Sequence, residues 1–281
     1  MASTSLSFVI TGAGRGIGRG LSRLLLERGH RVLLLDNNQV ELSHTQEVFT
    51  KTFKPTGSAN SSPFKCLPCN VRDPSAIKQA AQVAHEMFNG KLDVLINNAA
   101  YTGAVGGTSF EDMTVDEWNA SLETNLTGPM LMSQALLPML ARSSPGSGEE
   151  RKQGGCIIHM SSTRAYQSEP NSEGYATTKA GLIGMTHSMA VSLAPKAITV
   201  NAILPGWINV QNECKEADEK GTIWEEGLRK DEHEWQLTGR VGKVEDILNA
   251  IEYIINAKGF VTGTELVVSG GVERRMVYPE D

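Results

Sequence analysis

The fold of this chain is decided near its start, where the sequence reads Ser7-Phe8-Val9-Ile10-Thr11-Gly12-Ala13-Gly14-Arg15-Gly16-Ile17-Gly18. An apolar run leads directly into a glycine-rich turn, and leucines at helical spacing follow. Strand, glycine turn and helix in this order are typical of a loop that binds dinucleotide phosphates. Glycines let the backbone approach a pyrophosphate, and the helix N-terminus offers free N–H groups. The spacing is T-G-x-x-x-G-x-G, and the alternative is a glycine turn that merely packs a helix on a sheet.

A carboxylate ends the next apolar strand. Asp36 follows Arg31–Leu35 and lies twenty residues after Gly16. A carboxylate in this place accepts hydrogen bonds from the adenosine ribose hydroxyls and repels a 2′-phosphate. The sequence therefore favours NAD as the cofactor. Arg15, inside the glycine loop, is the argument for NADP, since a cation there could face the 2′-phosphate.

A tyrosine and a lysine further along the chain indicate acid–base chemistry. Tyr175 and Lys179 are four residues apart, so their side chains share one face of a helix. Tyrosine ionises near pH ~10, and a neighbouring positive charge favours the phenolate, so we expect Lys179 to lower the pKa of Tyr175. Alone, the pair also fits an ordinary solvated helix face. The motifs around it decide between the two interpretations.

Strand and helix signals alternate along the chain as they do in a parallel sheet. Asp73-Pro74 predicts a helix start with Asp73 as its cap, and Thr114–Glu117 forms a capping-box pattern for another helix. A chain of 281 residues, 40% of them hydrophobic, can bury one core between a sheet and helices on both faces. We therefore expect an α/β protein with a single domain over residues 1–281.

Four further motifs follow in order and make the chain resemble the short-chain dehydrogenase/reductase family. Asn97-Asn98-Ala99-Ala100 is similar to the family's N-N-A-G segment, with Ala100 in place of glycine, and Thr124-Asn125 matches its active-site asparagine. Ser162 lies thirteen residues before Tyr175, the spacing of the family's catalytic serine, and Pro205-Gly206 matches its P-G motif. The resemblance covers nearly the whole chain. It implies a Rossmann-like, doubly wound parallel β-sheet flanked by helices on both faces.

The resemblance also implies a reaction, the NAD(H)-dependent interconversion of a secondary alcohol and a ketone by hydride transfer. Tyr175 would be the general acid or base, and Lys179 would lower its pKa and bind the nicotinamide ribose. Ser162 would hold the substrate oxygen, and Asn125 would anchor a water that links Lys179 to solvent. The implied substrate is a small-molecule alcohol or ketone, which can be bulky or cyclic.

The cofactor contacts that the resemblance implies are spread over the chain. They are Gly12, Arg15, Gly16, Ile17, Gly18, Asp36, Asn70, Val71, Asn98, Ala99, Tyr175, Lys179, Pro205, Gly206 and the backbone of Ile208. Three positions depart from the family pattern. Asn70 stands where an acid is common, Val210 where a threonine is common, and Ser269 replaces the aspartate of V-D-G-G. These departures affect cofactor affinity and leave the reaction class unchanged.

Composition excludes several other classes of protein. The formal net charge is −6 without a basic run, which disfavours a nucleic-acid partner. No apolar run approaches the ~20 residues of a membrane span, and Met1–Leu6 is too short for a signal peptide, so we expect a cytoplasmic protein. Cys66 and Cys69 form C-x-x-C beside a predicted strand and are interpreted as structural. His159 is expected to be a core residue, and no cluster of side chains suggests a metal site.

Residues 206–240 are expected to form a lid over the nicotinamide, where substrate choice would reside. This segment contains Trp207, Trp224 and Trp235 and many acidic residues. One interpretation is an aromatic pocket for a bulky or ring-containing substrate. The favoured one is an amphipathic lid whose tryptophans dock on the body while its acids face water. Residues 50–62 and 142–154 are expected to be surface loops without chemistry.

Two alternatives to this function remain open. The first is an NADP-dependent carbonyl reductase that uses Arg15. The second is a non-catalytic, cofactor-sensing interaction module, which would have little reason to keep all four catalytic positions. The resemblance further implies a homotetramer or homodimer formed through the helix of Tyr175, where Gly181 and Gly184 permit close packing.

Overall fold

A computed structural model describes residues 5–55, 61–103, 105–142 and 154–276. Its centre is one seven-stranded sheet in which every neighbouring pair of strands is parallel. The strands, in chain order, are β1 (Ser7–Thr11), β2 (Arg31–Asp36), β3 (Phe64–Pro68), β4 (Val94–Asn97), β5 (Cys156–Met160), β6 (Thr199–Pro205) and β7 (Glu265–Val268). Their order across the sheet is β3-β2-β1-β4-β5-β6-β7. The predicted α/β class with a doubly wound parallel sheet is confirmed.

Helices cover both faces of the sheet. They are α1 (Gly16–Glu27), α2 (Gln39–Thr52), α3 (Pro74–Phe88), α4 (Val115–Leu122), α5 (Gly128–Leu140), α6 (Glu173–Leu193), α7 (Lys215–Lys220), α8 (Lys230–Trp235) and α9 (Val244–Asn256). Alternate residues of β1 enter two separate cores, because side chains of a strand point to opposite faces. Phe8 and Ile10 pack with α1, α2 and α9, while Val9 packs with α3, α5 and α6.

The strand order reverses beside β1. From β1 the chain winds outward to β2 and β3, and it then returns to place β4 on the other side of β1. In such sheets a crevice opens at the carboxyl ends of the strands where the order reverses, and ligands bind there. The glycine loop after β1 and the Asn98–Ala100 segment after β4 both lie at this point.

The predicted helix caps are present. The Asp73 side chain accepts a hydrogen bond of 2.8 Å from the Ser75 N–H, and Pro74 is the first residue of α3. At α4, the Thr114 and Glu117 side chains form the reciprocal bonds of a capping box. Both caps satisfy N–H groups that a helix start leaves without partners.

One of the two predicted loops was placed less well. Residues 50–52 continue α2, so the first loop was predicted to begin too early, because α2 extends to Thr52 before the chain turns. Residues 56–60 and 143–153 lie outside the described residues. Within the part of the chain that the structure describes, no helix is both long and apolar enough to cross a membrane.

Candidate active site

The glycine loop is shaped by close backbone contacts with the segment after β4. Gly12 has φ +65°, and a Cβ on it would lie 2.7 Å from the Ala99 Cα. A Cβ on Gly18 would lie 2.1 Å from the Gly12 carbonyl oxygen. The Asn98 amide nitrogen donates to the carbonyls of Thr11 and Gly12, at 3.0 Å each. Glycine is therefore required at these positions for steric reasons.

Asp36 is held rigidly at the end of β2. One carboxylate oxygen accepts a hydrogen bond from the Gly14 N–H, and the other accepts from the Asn38 N–H, both at 2.8 Å. Carboxylate oxygens accept more than one hydrogen bond each, so both remain able to bind hydroxyl groups. The Arg15 side chain is exposed and lines the same cavity as Asp36.

One cavity of about 1000 Å³ connects the glycine loop with the Tyr175–Lys179 pair. Nearly all the residues proposed from the sequence line it: Gly12, Arg15, Gly16, Ile17, Asp36, Asn70, Val71, Asn98, Ala99, Ser162, Tyr175, Lys179, Pro205, Gly206 and Ile208. Tyr101 also lines it. Gly18 and Asn125 are buried and are not among its lining residues. The cavity's size, its glycine-lined end and the fixed carboxylate fit an extended dinucleotide.

Ser162, Tyr175 and Lys179 meet where β5 ends and α6 begins. Ser162 lies two residues after the end of β5, and its hydroxyl interacts with the Tyr175 phenol. The Lys179 ammonium nitrogen donates to the Met160 carbonyl at 2.7 Å and lies 5.2 Å from the centre of the Tyr175 ring. Lys179 is buried, with 2% of its surface exposed, and this burial lowers its pKa to about 8.

The prediction that Tyr175 has a lowered pKa is wrong for this structure. Burial raises the pKa of Tyr175, since it disfavours the charged phenolate. The Ser162 hydroxyl and the Arg164 guanidinium act in the opposite direction, and the Glu169 carboxylate acts with burial. The positive charge that favours the phenolate thus comes from Arg164, where the sequence had suggested Lys179.

Asn125 lies in a π-helical turn, Glu123–Thr127, between α4 and α5. This wider turn continues directly from α4. The Asn125 side-chain oxygen accepts from the Tyr101 N–H at 2.6 Å, and its nitrogen donates to the Thr178 hydroxyl at 3.1 Å. Asn125 therefore links the segment after β4 to the residue that precedes Lys179. π-turns of this kind occur frequently at functional sites.

Arg164 is the site residue that the sequence interpretation missed. It follows Ser162 by two residues, and its N–H donates to the Ser162 hydroxyl at 3.2 Å. Its guanidinium makes two parallel hydrogen bonds with the Glu169 carboxylate, at 2.7 and 2.8 Å. No motif marks either residue. The available signal was an Arg and a Glu in the connection between the serine and the tyrosine.

The segment after Pro205-Gly206 is fastened to α1 by buried charges. Glu213 is buried and pairs with Arg23 at 2.7 Å and with Arg19 at 3.8 Å. Asp218 pairs with Arg19 and with His44. The expectation that the acids of this segment face water is therefore wrong for Glu213, while Asp218 stays exposed although it is paired. It describes the exposed Glu216, Glu219, Glu225 and Glu226 correctly.

The three tryptophans of this segment have different surroundings. Trp224 packs under the Lys243 ammonium, 4.0 Å from its ring centre, and edge-on against His233. Trp207 and Trp235 remain partly exposed and line a second cavity beside the first. The indoles thus divide between the two interpretations, one docked on the body and two lining a pocket.

His159 and the cysteines have the structural roles expected of them. His159 is fully buried, which lowers its pKa to about 3 with a contribution from the nearby Lys179 charge, so the ring is neutral. Cys66 lies in β3, and burial raises the pKa of its thiol to about 12 and that of Cys69 to about 11. Neither thiol is activated as a nucleophile.

The chain is similar to known oxidoreductases over nearly its whole length. A family model described as enoyl-(acyl carrier protein) reductase matches residues 12–273. An uncharacterised oxidoreductase of Thermotoga maritima is 33% identical over 274 residues, which is 97% of each chain. A 3-oxoacyl-(acyl-carrier-protein) reductase of Staphylococcus aureus is 31% identical over 268 residues, 95% of this chain and 97% of the relative.

Solved structures agree with the sheet described above. An apo SCOR enzyme from Clostridium thermocellum superposes with a TM-score of 0.78 and 28% identity, covering 98% of this chain and 96% of that one. A 3-ketoacyl-(acyl-carrier-protein) reductase from Brucella melitensis, complexed with NADH, has a TM-score of 0.75 at 23% identity, covering 96% and 100%. The latter likeness shows the fold alone. By its sequence motifs, its fold and these matches, the chain belongs to the short-chain dehydrogenase/reductase family of NAD(P)-dependent oxidoreductases.

Proposed function

We propose that this protein is an NAD(H)-dependent oxidoreductase that interconverts a secondary alcohol and a ketone, with Tyr175 as the general acid or base. The observation that carries the proposal is the meeting of Ser162, Tyr175 and Lys179 in the cavity that also contains the glycine loop and Asp36. A nicotinamide ring, when bound, supplies or accepts the hydride. The protein must then orient the substrate and move one proton.

The side chains divide that work. Tyr175 donates its phenolic proton to the forming alkoxide in reduction and takes the alcohol proton in oxidation. Ser162 donates a hydrogen bond to the substrate oxygen, where negative charge develops. Lys179, held by the Met160 carbonyl, binds the nicotinamide ribose. Asn125 fixes the backbone of Tyr101 and anchors a water that connects Lys179 to solvent.

The raised pKa of Tyr175 implies a different pH dependence for the two directions of the reaction. Because burial raises it, the phenol is protonated at pH 7 and ready to donate. Oxidation requires the phenolate, so the rate of alcohol oxidation should increase with pH while the rate of ketone reduction does not. A pH profile of kcat/KM in both directions measures this difference.

The choice of NAD over NADP rests on Asp36. Its carboxylate lies where the adenosine ribose hydroxyls would bind, and it would repel a 2′-phosphate. Arg15 lines the same end of the cavity and keeps NADP as the alternative. Dissociation constants for the two cofactors, measured for the wild type and for Asp36→Ala, test this choice. Tighter binding of NADP by the wild type would contradict the proposal.

Tyr175→Phe is the decisive variant for the reaction. It removes the proton donor and keeps the ring, so we expect kcat to fall by about 10²- to 10⁴-fold while NAD binding stays nearly unchanged. Tyr253→Phe, at an exposed tyrosine on α9, is the matched control and should keep full activity. The assays of both variants use cyclic and aromatic secondary alcohols and the corresponding ketones as test substrates. Unchanged turnover in Tyr175→Phe would refute the assignment.

The names of several relatives favour one group of ketones as a second candidate. They are 3-oxoacyl-(acyl-carrier-protein) reductases, which places 3-oxoacyl thioesters among the substrates to test. A kcat/KM for a 3-oxoacyl thioester well above that for any cyclic or aromatic ketone would favour this candidate.

Two structural parts belong to the same proposal. Residues 206–240 act as the substrate lid of a single catalytic domain, supported by the position of Trp207 between the two cavities. The protein assembles as a homodimer or homotetramer through α6. Gly184 on that helix has no atom of the described residues near its Cβ position, which leaves room for a partner helix. Sedimentation of the wild type and of Gly184→Leu tests this assembly.

A further inference from the structure

A second cavity of about 320 Å³ opens beside the catalytic residues. It shares Arg164, Gly206 and Trp207 with the larger cavity, so a ligand at Ser162 and Tyr175 can extend into it. Its other walls include Glu169, Trp235 and Gln236. Its composition therefore indicates which chemical groups a substrate can carry beyond its reacting carbon.

Arg164 offers free hydrogen-bond donors at the junction of the two cavities. Glu169 accepts from its Nε and Nη2 atoms, and this fixes the plane of the guanidinium. Nη1 donates to no acceptor among the described residues. The edge formed by Nη1 and Nη2 can therefore receive a second carboxylate in the same forked geometry, because a guanidinium presents five N–H donors.

Gln236 adds a second donor to this cavity. The side chain is buried, with 3% of its surface exposed, and its amide nitrogen has no acceptor within the described parts of the chain. A buried donor without a partner destabilises a protein, which a ligand oxygen would relieve. Donors from Arg164 and Gln236 therefore line one cavity and favour a ligand that ends in oxygen acceptors.

The remaining walls are aromatic. Trp207 and Trp235 are 39% and 45% exposed, which is unusual for such large apolar side chains. The Arg275 guanidinium stacks on the Trp235 ring at 4.6 Å and fixes its face. Two indoles beside two polar donors suit a ligand with an apolar body and a polar end.

The charges around the cavity also permit an anion. Glu169 is its one acidic wall residue within the described chain, and its charge is balanced by Arg164. Arg275 adds positive charge behind Trp235. An incoming carboxylate would bind the free edge of Arg164, on the side away from Glu169.

We propose that this second cavity binds the carboxylate of an oxo acid or hydroxy acid whose reacting carbon lies at Ser162 and Tyr175. The inference rests on the proposed alcohol–ketone reaction and specifies its substrate class. Arg164 is the specificity residue, Gln236 assists it, and the two indoles contact the apolar part of the substrate. Glu169 acts through Arg164 as a positioning residue.

The test compares acids with their uncharged esters. The probes are phenyl ketones that carry a terminal carboxylate after two to four methylene groups, each paired with its methyl ester. We expect the wild type to reduce at least one acid with a lower KM than its ester. Arg164→Met should raise KM for that acid by about 10- to 100-fold and leave KM for the ester nearly unchanged. Any effect of Arg164 on Tyr175 changes kcat for the acid and for the ester alike. It therefore cancels when kcat/KM for the acid is divided by kcat/KM for the ester.

Two further variants separate specificity from folding. Gln236→Leu should reduce the preference for acid over ester by a smaller factor, about 3- to 10-fold. Glu169→Gln keeps the positive charge of Arg164 and should therefore retain the preference for the acid. Equal KM values for acid and ester in the wild type, or loss of the preference in Glu169→Gln but not in Arg164→Met, would overturn the inference.

Binding without turnover distinguishes failure of this inference from failure of the proposed reaction. Calorimetry measures binding of 4-phenylbutanoate and its methyl ester to the protein loaded with NAD. Arg164-dependent binding of the acid supports the inference even where no ketone is reduced. Reduction of ketones together with equal binding of acid and ester supports the reaction and refutes the inference.

Discussion

The carboxyl edge of the sheet and the lid at residues 206–240 are held in place by different interactions. At the edge, hydrogen bonds from side chains to backbone carbonyls fix the geometry: Asn98 donates to the carbonyls of Thr11 and Gly12, and Lys179 donates to the carbonyl of Met160. The lid is joined to α1 by ion pairs between side chains. Glu213 reaches Arg19 and Arg23 on α1 through ion pairs.

This difference separates the chemistry from the choice of substrate. Distances set by strand register vary little, so the residues that move a proton stay aligned. A lid fastened by a few side chains and by the hydrogen bond from the Gly16 N–H to the Glu213 carbonyl can change its other loops and its tryptophans without altering that alignment, provided that its buried charges keep their partners. The predictions below test this contrast, beginning with the edge.

Gly18→Ala should have the largest effect. The new Cβ would lie 2.1 Å from the Gly12 carbonyl oxygen and 2.7 Å from the Asn98 side-chain nitrogen, so the backbone would have to move. We expect the free energy of unfolding to fall by more than about 3 kcal/mol, together with loss of cofactor binding. Urea denaturation and NAD titration measure the two effects.

Gly29→Ala is the matched control for Gly18→Ala. Gly29 has φ +79° but no described atom within 4 Å of its Cβ position, so only backbone strain of about 1 to 2 kcal/mol is expected. Cofactor binding should be unaffected. If Gly18→Ala and Gly29→Ala had equal free energies of unfolding, the close contact at Gly18 would not explain why glycine is required there.

Glu213→Gln tests the attachment of the lid. Removing this charge leaves the buried Arg19 guanidinium with Asp218 as its remaining ion-pair partner among the described residues. We expect a loss of about 3 kcal/mol in the free energy of unfolding, because a buried charge without full compensation is costly. Hydrogen exchange at residues 210–220 should increase, while exchange in β1 and β4 should not.

Glu219→Gln is the control within the same segment. Glu219 pairs with Lys215 at 3.6 Å on the surface, and such pairs contribute little to stability. No measurable change is expected. A uniform rise of exchange in the sheet of Glu213→Gln would contradict the separation between lid and edge.

Lys179→Met tests a buried charge at the edge through pH. Burial lowers the pKa of Lys179 from 10.5 to about 8 in the folded state. Below pH 8 the amine is charged in both folded and unfolded states. Above pH 8 the folded protein releases the proton while the unfolded chain keeps it, so the wild type gains stability relative to Lys179→Met. Between pH 7 and pH 9.5 the difference in free energy of unfolding between the wild type and Lys179→Met should change by about 2 kcal/mol. Urea denaturation at a series of pH values measures it.

The quantity to measure is the difference in free energy of unfolding between the wild type and Lys179→Met. Cys66, Cys69 and Cys156 have raised thiol pKa values, so they destabilise both proteins equally as the pH rises above 9. A constant difference across this pH range would show that Lys179 keeps its proton in the folded state.

The edge could be predicted from the sequence because its residues act over short, regular distances. A strand followed by Gly12, Gly16 and Gly18 determines the loop, and the four-residue spacing of Tyr175 and Lys179 determines a shared helix face. The parallel order of the strands then brings their carboxyl ends together. These consequences follow from local geometry, so the predicted cavity residues were found together.

The lid and the substrate side could not be predicted because their contacts join distant segments. Nothing near Glu213 indicates that Arg19 and Arg23, about 190 residues earlier, enclose it. Arg164 and Glu169 form a local pair, but their position between two cavities depends on how Trp207 and Trp235 approach them. Likewise, the raised pKa of Tyr175 depends on burial, which a spacing pattern does not show.

Lys243→Met should have the smallest effect and completes the contrast within the lid. The Lys243 ammonium lies 4.0 Å from the centre of the Trp224 ring, a partly exposed cation–π contact worth about 0.5 to 1 kcal/mol. Methionine keeps the apolar stem over the indole, and the backbone N–H of residue 243 still bonds Asp246 at the start of α9. The loss should therefore be well below that of Glu213→Gln. Lys230→Met, which removes an exposed pair with Glu234, is the control and should be neutral. If Lys243→Met lowered the free energy of unfolding as much as Glu213→Gln, the lid would be held by its aromatic contacts as much as by its buried charges. Substitution of its tryptophans would then alter the active site as well as the substrate pocket.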